Sequence, residues 1–259
     1  MHYGMYISAT GAMTSMYRQD VFTNNLANTG TPGFKPVTPF TRQRDDVRSE
    51  DGLWHMASNA MLERLGGGAH LNQNHVAFKQ GPIDTTGNPL DLAINGDGFF
   101  VVRAGGGAEG EELRFSRDGR LTRDRESRLV RVTDGLPVLD EMGREIHLPN
   151  EGDVVIDGDG AIRSGGRLIA RLQIVDVPDR SRLTPAGETL LKPTANALTN
   201  AAPASGRVVQ NAVEGSAATE ISALMELTGA SRAAQSNLGM ISYYDRMMDR
   251  AINTFGRVA

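Results

Sequence analysis

Apolar positions divide the 259-residue chain into three textures. Residues 3 to 28 repeat at helical spacing, on more than one side. Met5, Ala9, Ala12 and Met16 make one stripe, and Ile7, Tyr17 and Val21 lie on another. A helix that is apolar on several sides needs neighbours on several sides. Residues 217 to 255 repeat more cleanly. Ile221, Leu224, Leu227, Ala230, Ala234, Leu238, Ile241, Tyr244, Met248, Ile252 and Phe255 follow at intervals of three or four, close to a coiled-coil seam. Ser216 is placed to be its N-cap and Gly256 its C-terminal glycine. At 1.5 Å per residue such a helix reaches roughly 58 Å, longer than a covering helix on a domain of this size needs.

Between the helices the pattern alternates, with turn dipeptides between apolar runs. Asn95-Gly96, Asp118-Gly119, Asp134-Gly135 and the stretch Asp157 to Gly160 each predict a hairpin. Residues 168 to 177 are the longest β-like run, and 184 to 206 read as a loop and linker. The expected fold is α+β, with N- and C-terminal helices pairing into a coiled-coil-like bundle and a central, mainly antiparallel β domain. The expected division is 1–34 for the first helix and its exit loop, 35–80 for an extended connector, 81–204 for the β-rich domain, and 205–259 for the long last helix.

The first helix stops abruptly. Asn24, Asn25 and Asn28 precede Gly30, Pro32 and Gly33. Asn28 tolerates a left-handed conformation and Pro32 forbids continuation, so capping accounts for the stop. Amides in a crowded helical layer also fix register between subunits, as a polar residue in a coiled-coil seam does. Both readings stay open at this point.

Composition removes several classes of chemistry. The chain has no cysteine, so it offers no disulfide, thiol nucleophile or Cys-based metal site. A formal net charge of -4 with dispersed Lys and Arg gives no nucleic-acid footprint. The N-terminus lacks the pattern of a cleavable signal peptide, and no apolar run approaches membrane-spanning length, so no membrane insertion is expected. Asp157-Gly158-Asp159-Gly160 lacks the later ligands of a calcium loop, with Ala161 and Leu168 at the fifth and twelfth positions. The five histidines show no zinc-binding spacing. No nucleophile elbow, P-loop or dinucleotide fingerprint appears. No catalytic, metal or cofactor residue is nominated, and neither an enzyme nor a small-molecule substrate is expected.

The run Asp20-Val21-Phe22-Thr23-Asn24-Asn25-Leu26-Ala27-Asn28-Thr29-Gly30-Thr31-Pro32-Gly33-Phe34-Lys35 resembles the N-terminal signature of bacterial flagellar rod and hook axial proteins. Gln80-Gly81, Thr86 to Ile94 and Gly96-Asp97-Gly98-Phe99-Phe100 are similar to a second block of that family. Phe115 to Gly119 and Leu183 to Gly187 follow in the expected order. The C-terminus departs, with Ala217-Ala218 after Ser216 where the family usually has Asn-Val. The resemblance suits a rod protein, proximal or distal, better than the hook.

That resemblance implies a structural subunit of the basal-body rod whose terminal helices line a torque-transmitting helical tube, with the β domain outside. It implies homo-oligomeric contacts, contacts with other axial proteins, and passage through the flagellar export apparatus without a cleavable signal peptide. The expected assembly residues are Ile7, Tyr17, Val21, Asn24, Asn25, Leu26, Asn28, Gly33, Phe34 and Lys35 at the N-terminus. At the C-terminus they are Ile221, Leu224, Leu227, Leu238, Ile241, Met248, Ile252 and Phe255. The competing expectation is a monomeric, β-rich adhesion or scaffold module whose helices pack internally.

Overall fold

The computed structural model describes residues 3–57, 66–107, 110–149, 152–187, 189–194 and 201–255. The fold is α+β and separates into two compact units. One comprises residues 1–27, 37–75 and 220–259, and the other residues 28–36 and 76–219.

The first unit holds both long helices, α1 (Tyr3–Ala27) and α2 (Glu220–Arg250), the latter continued by a wider turn over Ala251–Phe255. They pack against each other and run antiparallel, since Gly4 lies against Tyr244 and Gly11 against Asn237. Their contact uses small residues. Ser8, Ala12 and Ser15 of α1 are buried, as are Ala223, Ala230 and Ala234 of α2. Burying serines in a helix interface would normally leave hydroxyls unsatisfied. Here Ser8 donates to the Gly4 carbonyl at 2.9 Å and Ser15 to that of Gly11 at 2.7 Å, so each is satisfied within its own helix.

This pairing differs from the expected seam. Ile221, Leu224, Leu238, Met248 and Ile252 are exposed, while Leu227 and Ile241 are half-buried. A leucine seam would hold the helices further apart than alanine against serine or glycine does, and the small residues win the contact. Ser216 is not the N-cap, because α2 begins at Glu220; its hydroxyl accepts from the Ala218 amide in a preceding turn. The Gly256 cap lies outside the described residues.

Part of the expected connector joins this unit as ordered structure. Thr41–Gln43 pairs antiparallel with Ala69–Leu71, in register Thr41 to Leu71. Gly68, at φ +105°, approaches α1 so closely that a Cβ there would stand 2.6 Å from Thr10 Oγ1. Only glycine meets both conditions without strain.

The second unit centres on a six-stranded antiparallel sheet. Its order is Leu183–Pro185, Leu190–Pro193, Gly110–Ser116, Phe99–Gly107, Ile174–Asp176, Ala202–Pro203. Strand alternation sends Phe100 and Val102 into one core with Leu92, Ile94 and Leu121. Phe99 and Val101 enter another with Phe115, Leu139 and Leu183. Stretch 184 to 206, expected to be a linker, thus contributes three strands or parts of them.

Two of the four hairpin signals form hairpins. Val154–Ile156 pairs with Ala161–Ser164 around Asp157 to Gly160, and the chain folds back on itself at Asp134-Gly135, where Val130 bridges Pro137. The other two do not. Leu92–Asn95 pairs with Arg207–Gln210, so Asn95-Gly96 joins strands of different sheets. Asp118-Gly119 likewise leads from the six-stranded sheet to the ladder of Leu121–Arg123 with Leu129–Arg131. The run 168 to 177 divides between Arg167–Arg171 and Ile174–Asp176, in two sheets.

Candidate assembly interface

Three faces of α1 have different roles. The first, with Gly4, Ser8, Gly11 and Ser15, meets α2. The second carries Thr10, Tyr17 and Asn25 and meets the segment from residue 37 to 75. Asn74 Nδ2 donates to the Tyr17 hydroxyl at 2.6 Å. Asn25 closes both polar ends of its amide on one backbone unit: its Nδ2 donates to the Val37 carbonyl at 2.8 Å, and its Oδ1 accepts from the Val37 amide at 2.9 Å. This pair copies a β-ladder contact and accounts for a buried asparagine near a helix end. Asn25 therefore directs its amide to Val37 rather than to the end of its own helix.

The third face of α1 carries Met5, Met13 and Met16, all exposed. On α2, Ile221, Met225, Met240, Tyr243 and Met247 are exposed and fall within an arc of about 100°, opposite the alanine face. Met225 is 70% exposed. Exposed apolar faces of this kind make the two helices the candidate interaction surface. Ile7 and Val21, expected on the second stripe, are half-buried, as is Leu26, and Asn24 is exposed. Phe255 ends the wide turn after α2.

The signature's last residues belong to the β unit. Gly33 takes the left-handed conformation, φ +70°, where Asn28 was expected to; Asn28 is not among the positive-φ residues. A Cβ on Gly33 would come within 2.4 Å of the Asp118 amide nitrogen. Gly33 N donates to the Glu214 carbonyl at 2.7 Å, and Ala217 N donates to that of Phe34 at 3.0 Å. Phe34 itself is half-buried.

Lys35 then enters a buried charge cluster. Its Nζ donates to Glu214 Oε1 at 2.5 Å and to the Lys79 carbonyl at 2.7 Å. Glu214 is fully buried, and its Oε1 also accepts from the Gly81 amide at 3.0 Å. Arg117 Nη1 donates to its Oε2 at 3.0 Å, Nη2 donates to the Gly96 carbonyl at 2.8 Å, and the guanidinium lies 5.2 Å from the Phe99 ring centroid. Burial pushes the Lys35 ammonium below its usual pKa, against the opposing pull of Glu214.

Next to it, Asp118 accepts from Arg120 and Thr133, and Arg131 Nη2 lies 3.7 Å away. Burial works to raise the Asp118 carboxyl pKa. The hydrogen bonds of Arg120 overcome this and hold it below the usual carboxylate range. Arg117 and Glu214 did not appear among the expected site residues. The signal for Glu214 was a single acid in Ala212-Val213-Glu214-Gly215, an otherwise apolar run ending at a glycine.

The cluster gathers pieces of the sequence blocks that carry the resemblance: Gly33-Phe34-Lys35, Gln80-Gly81, Gly96 and Arg117-Asp118. A family model described as Flagella basal body rod protein matches residues 5–35, and one described as Flagellar hook protein FlgE/F/G D1 domain matches residues 93–164. Across 264 residues the chain is 31% identical to the flagellar basal-body rod protein FlgF of Caulobacter vibrioides, covering 100% of both chains. The chain belongs to the flagellar basal-body rod protein family. Further rod-family relatives include the FlgG protein of Agrobacterium fabrum, 28% identical with 93% of this chain and 95% of the relative covered. FlgF of Salmonella typhimurium is 27% identical, with 97% of each covered. As a rod-family protein the chain is a structural component of the flagellar basal body, a family that assembles with other axial proteins. Among its described residues no helix is long and apolar enough to cross a membrane, and no group of His, Asp or Glu is placed to hold a metal.

Proposed function

We propose that the exposed faces of α1 and α2 are the contacts by which this chain polymerises, with its own copies and with other axial proteins, into the rod's helical tube. One observation carries the reading. The helices meet through small residues and leave Met5, Met13, Met16, Ile221, Met225 and Tyr243 uncovered. Head-to-tail use of such faces generates an open helical filament, and the filament transmits torque from motor to hook. The subunit travels through the flagellar export apparatus and acts in the rod where it spans the periplasm. The role is mechanical; catalysis has no part in it.

The test is the double variant Ile221→Glu with Met225→Glu in a strain lacking the native gene. The purified protein is expected to keep its helical circular dichroism and melting profile, while the cells form no rods and do not swim. Normal motility would overturn the reading. A monomeric scaffold or adhesion module accounts for the internal pairing of α1 with α2, and predicts that the same variant leaves function intact.

A further inference from the structure

The chain has 11 methionines and no cysteine. Seven methionines lie on the two helices: Met5, Met13 and Met16 on α1, and Met225, Met240, Met247 and Met248 on α2. All seven are exposed. The β unit carries one, Met142, which is 76% exposed. Met5, Met13, Met16, Met225, Met240 and Met247 thus lie on the faces assigned above to subunit contact, while among the described residues Met56, Met142 and Met248 are exposed outside them.

From this distribution we infer that the helical faces are an oxidation site. Two-electron oxidants such as hydrogen peroxide convert their methionines to sulfoxides and block assembly. The inference rests on the assembly reading. In the reaction a thioether lone pair attacks one peroxide oxygen and the O–O bond breaks. Sulfur gains the oxygen and is oxidised by two electrons, while peroxide is reduced to water. No other reactant is required. The product is a polar, chiral side chain in place of a flexible apolar one. On a solvated monomer the change costs little, because these side chains already face water. In a packed interface each sulfoxide oxygen needs a hydrogen-bond partner that a surface of methionine, isoleucine and tyrosine rings does not supply. Met225, Met240 and Met247 lie on one arc, so a partner helix meets all three together. Sulfoxides are reversed by reductases, which makes the block reversible before assembly.

Peroxide treatment of the purified chain, followed by peptide mass spectrometry, is expected to add one oxygen to the helix methionines and to Met142, with circular dichroism unchanged. In cells lacking the native gene, Met225→Gln with Met240→Gln and Met247→Gln introduces a polar side chain of similar length. Motility is expected to fall at least tenfold. The same three positions changed to Leu, and Met142→Gln alone, are expected to swim normally. Helix methionines that resist a dose oxidising Met142, or a triple Gln variant that swims as well as the native chain, would overturn the inference. If the triple Gln variant swims while Ile221→Glu with Met225→Glu does not, the oxidation inference alone fails. If both swim, the assembly reading fails as well.

Discussion

Lys35 and Glu214, 179 positions apart in sequence, meet at 2.5 Å with both side chains buried. Replacing Lys35 with Met removes one cation and leaves a carboxylate without water or its nearest counter-charge. Breaking one partner of a buried pair costs about 3–5 kcal/mol. The melting midpoint of the β unit is expected to drop by roughly 10 °C, as read by near-ultraviolet circular dichroism. A shift under about 2 °C would show that Arg117 and the Gly81 amide suffice for Glu214.

Gly33 makes a sharper demand on sequence. Alanine there meets a left-handed backbone and the Asp118 amide together. Gly33→Ala is expected to destabilise the β unit by about 2 kcal/mol or more, measured by urea unfolding. Gly30→Ala, where a Cβ meets nothing within 4 Å, should be nearly silent.

Asn25 tests the helix exit. Asn25→Leu removes both hydrogen bonds to the half-buried Val37, a cost of about 1–3 kcal/mol in total. Hydrogen exchange at the Val37 amide should accelerate at least tenfold. Unchanged protection would mean that another group takes over the clamp.

The folded Asp118 carboxyl titrates below its unfolded value of about 3.9. A depressed acid contributes stability that is present above the unfolded pKa and is lost as pH falls through the folded one. The gap in melting temperature between the native chain and Asp118→Asn should therefore be steady from pH 7 to about 5, and close progressively below about 4. A gap that widens with acid would contradict the assignment.

Local rules read the helices well, because helical periodicity is a short-range property. The stripe of Ile7, Tyr17 and Val21 correctly indicated that α1 has more than one covered side. They did not reveal which neighbour covers which side, since Tyr17 finds Asn74 and Asn25 finds Val37 through chain geometry that no spacing encodes. The large residues of α2 looked like the seam with α1 because heptad patterns do not distinguish an internal partner from an external one. Hairpin signals succeeded where both strands were local, as at Asp157. They failed at Asn95-Gly96, where Arg207–Gln210 takes the pairing from 112 to 118 positions away. The charge cluster was the least legible part. Lys35 stood out in the signature, but its partner was a lone glutamate near what resembled a linker.

The bond from Lys35 to Glu214 also works as a length check. A chain that ends anywhere before residue 214 buries a lysine and an arginine with no carboxylate between them. Chains truncated before Glu214 are therefore expected to lose the β unit's buried ion pairs and to be cut faster in limited proteolysis. The carboxylate that Lys35 and Arg117 share is thus supplied only where the last sixth of the chain begins.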